Sequence, residues 1–244
     1  MKKCIILLAT LSVCVTGCRF VKVDTRLLED RLVARGGHDI ENDNKNENMS
    51  MFGNKETETK VIEGCDFKGI LAEGAYDIDY WAKEPMVTVS APAKVMEHLD
   101  VHTEGDILVI RTDGTRINWR GVKVVACSPE LKSLDVRGAV DFSSRGEIST
   151  DAFSLVVNGA GDVEIRGLKS AAVSLVVNGA GDIEVDGLES DCLDVVINGA
   201  GDIKVAGSSN SAAVSLHGAG DIDLRHLVCS DVRTDKSGIG SIRR

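Results

Sequence analysis

The chain has 244 residues, a formal net charge of −10, 25 glycines, three prolines and only 4% aromatic residues. An acidic surface repels phosphate backbones, so no nucleic-acid partner is expected, and it gives no attraction to anionic lipid headgroups. So few aromatics argue against a compact sandwich or mixed core, whereas a Gly-rich, Val/Ile-rich, Pro-poor chain suits many short strands joined by tight turns.

Met1-Lys2-Lys3 is a short basic start, and residues 4–15 are an apolar run too short to span a bilayer. Val15-Thr16-Gly17-Cys18 follows, and small residues next to a Cys resemble the lipobox of bacterial lipoproteins. The resemblance implies cleavage before Cys18 and attachment of acyl chains such as palmitate, which then replace a transmembrane helix as the membrane anchor. The plainer alternative is an ordinary signal peptide with an incidental cysteine. Removing Lys2 and Lys3 leaves 26 basic against 38 acidic groups, a net charge of −12. The expected location is the cell envelope, as an outer-membrane lipoprotein facing the periplasm or the exterior.

Residues 20–35 are weakly amphipathic, with Leu27, Leu28, Leu32 and Val33, and could form a short helix. Residues 38–60 are rich in Asp, Glu, Asn, Lys and Thr and have little to bury, which predicts a disordered tether. The organisation expected is a signal peptide over 1–17, anchor and tether over 18–60, an ordered domain over 61–235 and a tail over 236–244.

The first part of that domain, residues 61–125, is irregular. Residues 70–80 fit one repeat coil, 87–90 a strand, and 93–98 one or two helical turns. Residues 99–102 and 107–111 flank Thr103-Glu104-Gly105-Asp106, which predicts a hairpin, and 121–127 reads as a strand. This half is either the same solenoid with insertions or an antiparallel flank capping it. A cap is needed because an open coil end exposes strand edges and core.

An internal repeat dominates the rest. Gly-Ala-Gly-Asp occurs at 159–162, 179–182, 199–202 and 218–221, and degenerate copies sit at 138–141 and 74–77. A fixed period near 20 with glycine turns marks a solenoid. Aligned columns read Leu155, Leu175, Val195, Val214; Val157, Val177, Ile197, Leu216; Val163, Ile183, Ile203, Ile222; and Ile165, Val185, Val205, Leu224. These aliphatic positions lie two apart within each segment, the period of a strand with one buried face. Each repeat therefore reads as strand, Gly-Ala-Gly-Asp turn, strand, second turn. The fold class expected is all-β: a parallel β-solenoid of about 20-residue coils with a less regular β N-terminal half, a meander or sandwich being the alternative.

These residues resemble the putative auto-transporter adhesin, head GIN domain family. The likeness is carried by Phe67…Ile70…Gly74-Ala75…Asp77-Ile78, Asp106…Leu108-Val109-Ile110, Ser128-Pro129-Glu130-Leu131…Gly138-Ala139 and the later Asn-Gly-Ala-Gly-Asp repeats, over about residues 61–233. Membership implies an exported, envelope-anchored, β-solenoid-like protein of the adhesin kind, and brings no catalytic residue with it. Val140 and Tyr76 replace the second corner glycine, which implies two wider corners.

Three columns are candidate functional features. The aspartates Asp141, Asp162, Asp182, Asp202 and Asp221 either form a calcium ladder or accept turn N–H bonds as a structural ladder. One Asp per coil, directly after Gly, is poor in the six or more oxygens a hard cation needs, which favours the structural ladder and no metal or cofactor. Asn158, Asn178 and Asn198, followed by His217, suggest a stacked amide ladder, read as a stability device rather than a site, with His217 structural. Val156, Val176 and Val196 face outward by parity yet are apolar, which suggests a protein interface; the alternative is β-propensity on a solvated face. Cys65, Cys127, Cys192 and Cys229 permit disulfides in an exported protein or stand as single buried thiols.

Catalytic signals are missing: there is no GxSxG, HExxH, P-loop or dinucleotide fingerprint. The reading is a non-enzymatic envelope lipoprotein, an adhesin or binding module held to the membrane by lipid on Cys18, with an envelope or host-surface protein or glycan as partner. A structural or assembly component acting as a homo-oligomer is the alternative, and a carbohydrate-active solenoid enzyme a further one.

Overall fold

The computed structural model describes residues 57–115 and 121–244, together with the backbone of Phe20–Val21. The strands are β1 (Phe20–Val21), β2 (Thr57–Glu63), β3 (Gly69–Ala82), β4 (Met86–Pro92), β5 (Leu99–Glu104), β6 (Ile107–Thr112), β7 (Lys123–Ser128) and β8 (Ser133–Ser144). They continue with β9 (Ile148–Val157), β10 (Val163–Val177), β11 (Ile183–Ile197), β12 (Ile203–Leu216), β13 (Ala219–Lys236) and β14 (Ile239–Arg243). One helical turn, α1 (Ala93–Met96), follows β4.

From β8 onward the ladder is parallel and in register. Leu155 pairs with Leu175, Leu175 with Val195, and Val195 with Val214. Leu175 and Val195 are fully buried. The chain is thus a β-solenoid of about six turns whose aliphatic columns stack inside the coil. No single coil could close a core alone, so each completes its neighbour's.

Each coil has three short walls. In β10 the buried residues are Val163 and Ile165, then Leu168 and Ser170, then Val173, Leu175 and Val177. The step slips from two to three residues at 165/168 and at 170/173, and there the ribbon changes direction. The second turn expected from the sequence is therefore a bent, continuous strand with an extra wall. Gly167, at φ +132°, allows one bend without leaving the ladder. At the next, the buried Ser170 hydroxyl donates to the Ala172 carbonyl at 3.0 Å, and Ser209 repeats this on Ser211 at 2.9 Å. One coil is a residue shorter: Val185 pairs with Val205, but Leu188 pairs with Gly207. The deletion falls at this bend and the third-wall register resumes beyond it.

Both expectations for the N-terminal half hold in part. β3 is a true coil, paired in parallel with β8 from Gly69↔Ser133 to Tyr80↔Ser144. The intervening chain caps the stack. β6 continues the third wall beside β3, with β5 antiparallel on its far side. β7 continues the first wall, followed by antiparallel β4, β2 and β1. The 5–6 hairpin, the 87–90 strand and the helical turn all fall where the sequence placed them. β2 begins at Thr57, inside the 18–60 stretch expected as a tether, and β14 lies within residues 236–244, paired in parallel with β13.

The two degenerate copies are not wider corners. Residues 74–77 and 138–141 lie inside continuous strands, with Tyr76 and Val140 buried. A side chain that fills the core replaces the loop that glycine forms in later coils.

Leu175 and Ser174 are adjacent but face opposite sides. Leu175→Ala should cost about 2–5 kcal/mol in denaturant unfolding, from lost burial and a residual cavity. Ser174→Ala should change stability by less than about 0.5 kcal/mol.

Candidate functional site: the glycine corner and the third wall

The corner between third and first walls, Asn-Gly-Ala-Gly-Asp, repeats the same bonds from coil to coil. The Ala180 N–H donates to the Gly159 carbonyl at 2.8 Å, Ala200 to Gly179 at 2.8 Å, and Ala219 to Gly199 at 2.9 Å. The same carbonyls forbid side chains above them. A Cβ on Gly179 would stand 1.9 Å from the Gly159 oxygen, and one on Gly199 1.9 Å from that of Gly179. The second glycines behave alike: a Cβ on Gly181 would lie 2.2 Å from the Gly161 oxygen. Here glycine is required by the close approach of stacked backbones, the second of the two reasons such corners can have.

The aspartate ladder is linked along the stack. The carboxylate of Asp182 accepts the backbone N–H of Asp202 at 2.8 Å, and Asp202 that of Asp221 at 2.8 Å. The earlier links, Asp141 to Asp162 and Asp162 to Asp182, are longer at 3.4 Å. At the far end Asp221 accepts from the N–H and hydroxyl of Ser241, both at 2.8 Å, and pairs with Arg243 at 2.8 Å. Those bonds, led by the Ser241 hydroxyl, hold its pKa below the ordinary carboxylate value. The stabilisation this adds is present above the ordinary range and lost as pH falls through the lowered pKa. Among the described residues no group of three or more His, Cys, Asp or Glu side chains is placed to hold a metal.

The asparagines form a linked row on the outer face of the third wall. Asn178 donates to Asn158 at 2.9 Å and Asn198 to Asn178 at 2.9 Å. His217 stands next in the column and bonds Ser237 at 2.9 Å. The row extends beyond what the sequence marks. Asn158 donates to Asp135 at 3.1 Å, Asp135 pairs with Arg137 at 2.7 Å, and Arg137 with Glu73 at 2.9 Å. Arg111, the ladder partner of Glu73, pairs with Asp100 at 2.9 Å. These five residues lie outside the regular repeats. Only the pairing of β3 with β6 and β8 brings them into line, and no spacing in the sequence announces it.

Val156, Val176 and Val196 are consecutive ladder partners on the same wall, each half-buried. Asp135 stands before them and Ser215 and Asp235 after them in the same column. The stripe is therefore three rungs long, about 10 Å at the usual strand spacing. The column beside it reads Ser133, Ser154, Ser174, Asp194, Ala213. Burial raises the pKa of Asp194 above its ordinary value. The third wall thus presents three parallel columns: small polar residues, valines, and linked amides.

Other perturbed groups serve the fold. Burial, then the nearby Glu73, raises the Tyr76 phenol; its hydroxyl donates to the Glu73 carbonyl. Burial raises Tyr80, which donates to the Ser128 carbonyl at 2.8 Å, and also raises the Cys127 thiol. Among the described residues no disulfide joins Cys65, Cys127, Cys192 or Cys229. Cys18 and the signal peptide lie outside the described residues, as does most of the 18–60 stretch.

This stacked, glycine-cornered architecture defines a class of β-solenoid domains. The putative auto-transporter adhesin, head GIN domain family matches residues 66–188 and again 158–243, more than half of the chain, and the chain belongs to that family. Solved structures share the fold. A putative adhesin from Parabacteroides distasonis aligns with TM-score 0.72 at 20% identity, covering 78% of this chain and 83% of that one. A putative adhesin from Bacteroides fragilis gives 0.66 at 20% identity, covering 78% and 97%. A putative lipid binding protein from Parabacteroides distasonis gives 0.65 at 22% identity, covering 78% and 95%. No curated protein sequence matches.

Gly179→Ala should lower stability by about 3 kcal/mol or more, seen as a fall in Tm, because a backbone carbonyl occupies the methyl position. Gly146→Ala, where a Cβ meets open space, should be near neutral. Asp182→Ala should cost about 1 kcal/mol by removing the acceptor for Asp202 N–H. Asp182→Asn keeps an acceptor and removes a like charge from the column, so it should cost less, most visibly at low salt.

Proposed function

We propose that this protein is a non-enzymatic, lipid-anchored protein of the outer membrane whose solenoid is a rigid binding module of the adhesin kind. The observation that carries the reading is the third wall. It shows a nearly repeated outward set on three successive coils: Ser154-Val156-Asn158, Ser174-Val176-Asn178, and Asp194-Val196-Asn198, where an aspartate takes the place of the serine. Catalytic walls carry unlike groups converging on one bond, whereas a repeated set offers many equal, weak contacts to an extended partner. A half-buried valine column flanked by hydrogen-bonding columns suits the surface of a protein or a glycan. The family and its structural relatives, described as adhesins, support that assignment. The anchor rests on Cys18 and the basic, apolar and small-residue segments before it.

Two measurements on whole cells test this reading. Wild-type protein should incorporate a palmitate analogue and fractionate with membranes, and Cys18→Ala should lose both. Protease added to intact cells should remove the domain, and the folded triple variant Val156→Glu/Val176→Glu/Val196→Glu should lose binding to the target surface. Full protection from protease, or undiminished binding by the triple variant, would reject the adhesive role.

A further inference from the structure

The two ends of the solenoid are finished differently. At the N-terminal end, β5, β6, β7, β4 and β2 cover the first coil. At the other end, β14 pairs only with residues 219–223 of β13. Residues 226–236 of β13 pair with β12 on one side, and no strand among the described residues lies on the other. Their backbone N–H and C=O groups form an open edge, a template for another strand.

The interior is open there as well. A cleft of about 550 Å³ is lined by Leu224, Arg225, Leu227, Cys229, Asp231 and Val232, among others. Leu227, Val232 and Ile242 are core positions that remain partly exposed. Of the three exposed large hydrophobic residues among those described, two lie at this end: Val228 at 76% and Ile239 at 81% exposure. The third wall is better finished, since its interior column ends in Thr234 and Lys236, and Lys236 reaches over to the Gly240 carbonyl. The unfinished part of the coil end is therefore concentrated on the second wall, at 226–230, where Leu227 and Cys229 lie beside the polar Ser230, Asp231 and Arg244.

Charge and shape indicate the occupant. Residues 219–244 carry Arg225, Arg233, Lys236, Arg243 and Arg244 against Asp221, Asp223, Asp231 and Asp235, a net +1, which leaves −11 on the rest of the chain. Two acidic molecules can meet at this nearly neutral end with less like-charge repulsion than elsewhere on their surface. β14 is half a coil: among the described residues it covers the first wall, and no strand covers the second. A twofold axis perpendicular to the stack reverses the winding of the second copy, so facing strands run antiparallel. It also brings each half-coil over the other's bare wall.

We propose that this open coil end is a self-association surface, where two copies of the chain meet end to end with β14 of each lying antiparallel along residues 226–230 of the other. The two half-coils then share one level of a continuous stack. Ile242, already the ladder partner of the core residue Ile222, faces the same interior as Leu227 and Cys229 of the second copy. The unpaired edge gains partners, and the contact is isologous and closed. This surface is distinct from the valine stripe and does not require it.

Light scattering on the full chain in mild detergent, corrected for bound detergent, tests the proposal over a wide concentration range. The wild type should show twice the mass of one chain. Val228→Lys with Ile239→Lys should halve that mass while leaving the circular dichroism of the folded chain unchanged, since both side chains are exposed in the single chain; Tm should fall only by the stabilisation that association supplies. Val176→Glu, on the third wall, should remain dimeric. A wild type that is monomeric throughout would overturn the proposal. So would a dimer that survives the double lysine variant, or one that Val176→Glu dissociates.

Discussion

One contact governs the stack: a corner glycine carbonyl that accepts the alanine N–H of the next coil while standing where that coil's glycine Cβ would be. The bond draws successive corners together, and the same closeness excludes every side chain from the position. The corner can therefore neither slip nor vary. Because the corners are fixed, the walls on either side are held in register. A one-residue slip would turn the whole aliphatic column of Leu155, Leu175, Val195 and Val214 to the outside. The aspartate and asparagine ladders are secondary clamps on the same corner. They are exposed, and each bond is worth only about 1 kcal/mol.

Much of this was legible in the sequence because the repeat carries both of its physical causes openly. Identical glycines at a fixed spacing signal the close approach, and alternating aliphatics signal the buried face. The bent second wall was harder to read. Leu168 and Leu188 give way to Gly207 in β12, so the column does not look aliphatic throughout. Ser170 and Ser209 look like surface residues, yet their hydroxyls are satisfied inside by carbonyls two residues on. Local bonding of this kind is invisible to a hydrophobic pattern. The rows on the third wall show the same limit. The amides and valines repeat and can be found by alignment, whereas Glu73, Arg111 and Asp100 reach the row only through pairing across a long insertion.

The architecture divides the protein's surfaces by kind. The third wall is flat, periodic and made of side chains, suited to an extended partner. The open coil end is small and offers backbone groups and core residues, suited to a strand. The N-terminal cap uses charge where the sheet would otherwise be exposed. On the third-wall side the outermost strand, β5, carries His102 held between Asp100 at 3.0 Å and Glu104 at 2.9 Å. Polar edge strands of this sort discourage pairing.

The insertion between the first and second coils bears on the order of assembly. Ile70 and Leu134 are ladder neighbours separated by 64 residues, whereas later neighbours are 19 to 21 apart. Closing the longer loop costs about 1 kcal/mol more in chain entropy, and the cap strands must form before it is repaid. The regular coils can nucleate and propagate on local closures alone. On loop-closure entropy alone the first coil to be synthesised should be the last to find its place, and until the second coil emerges β3 has no neighbour on that side.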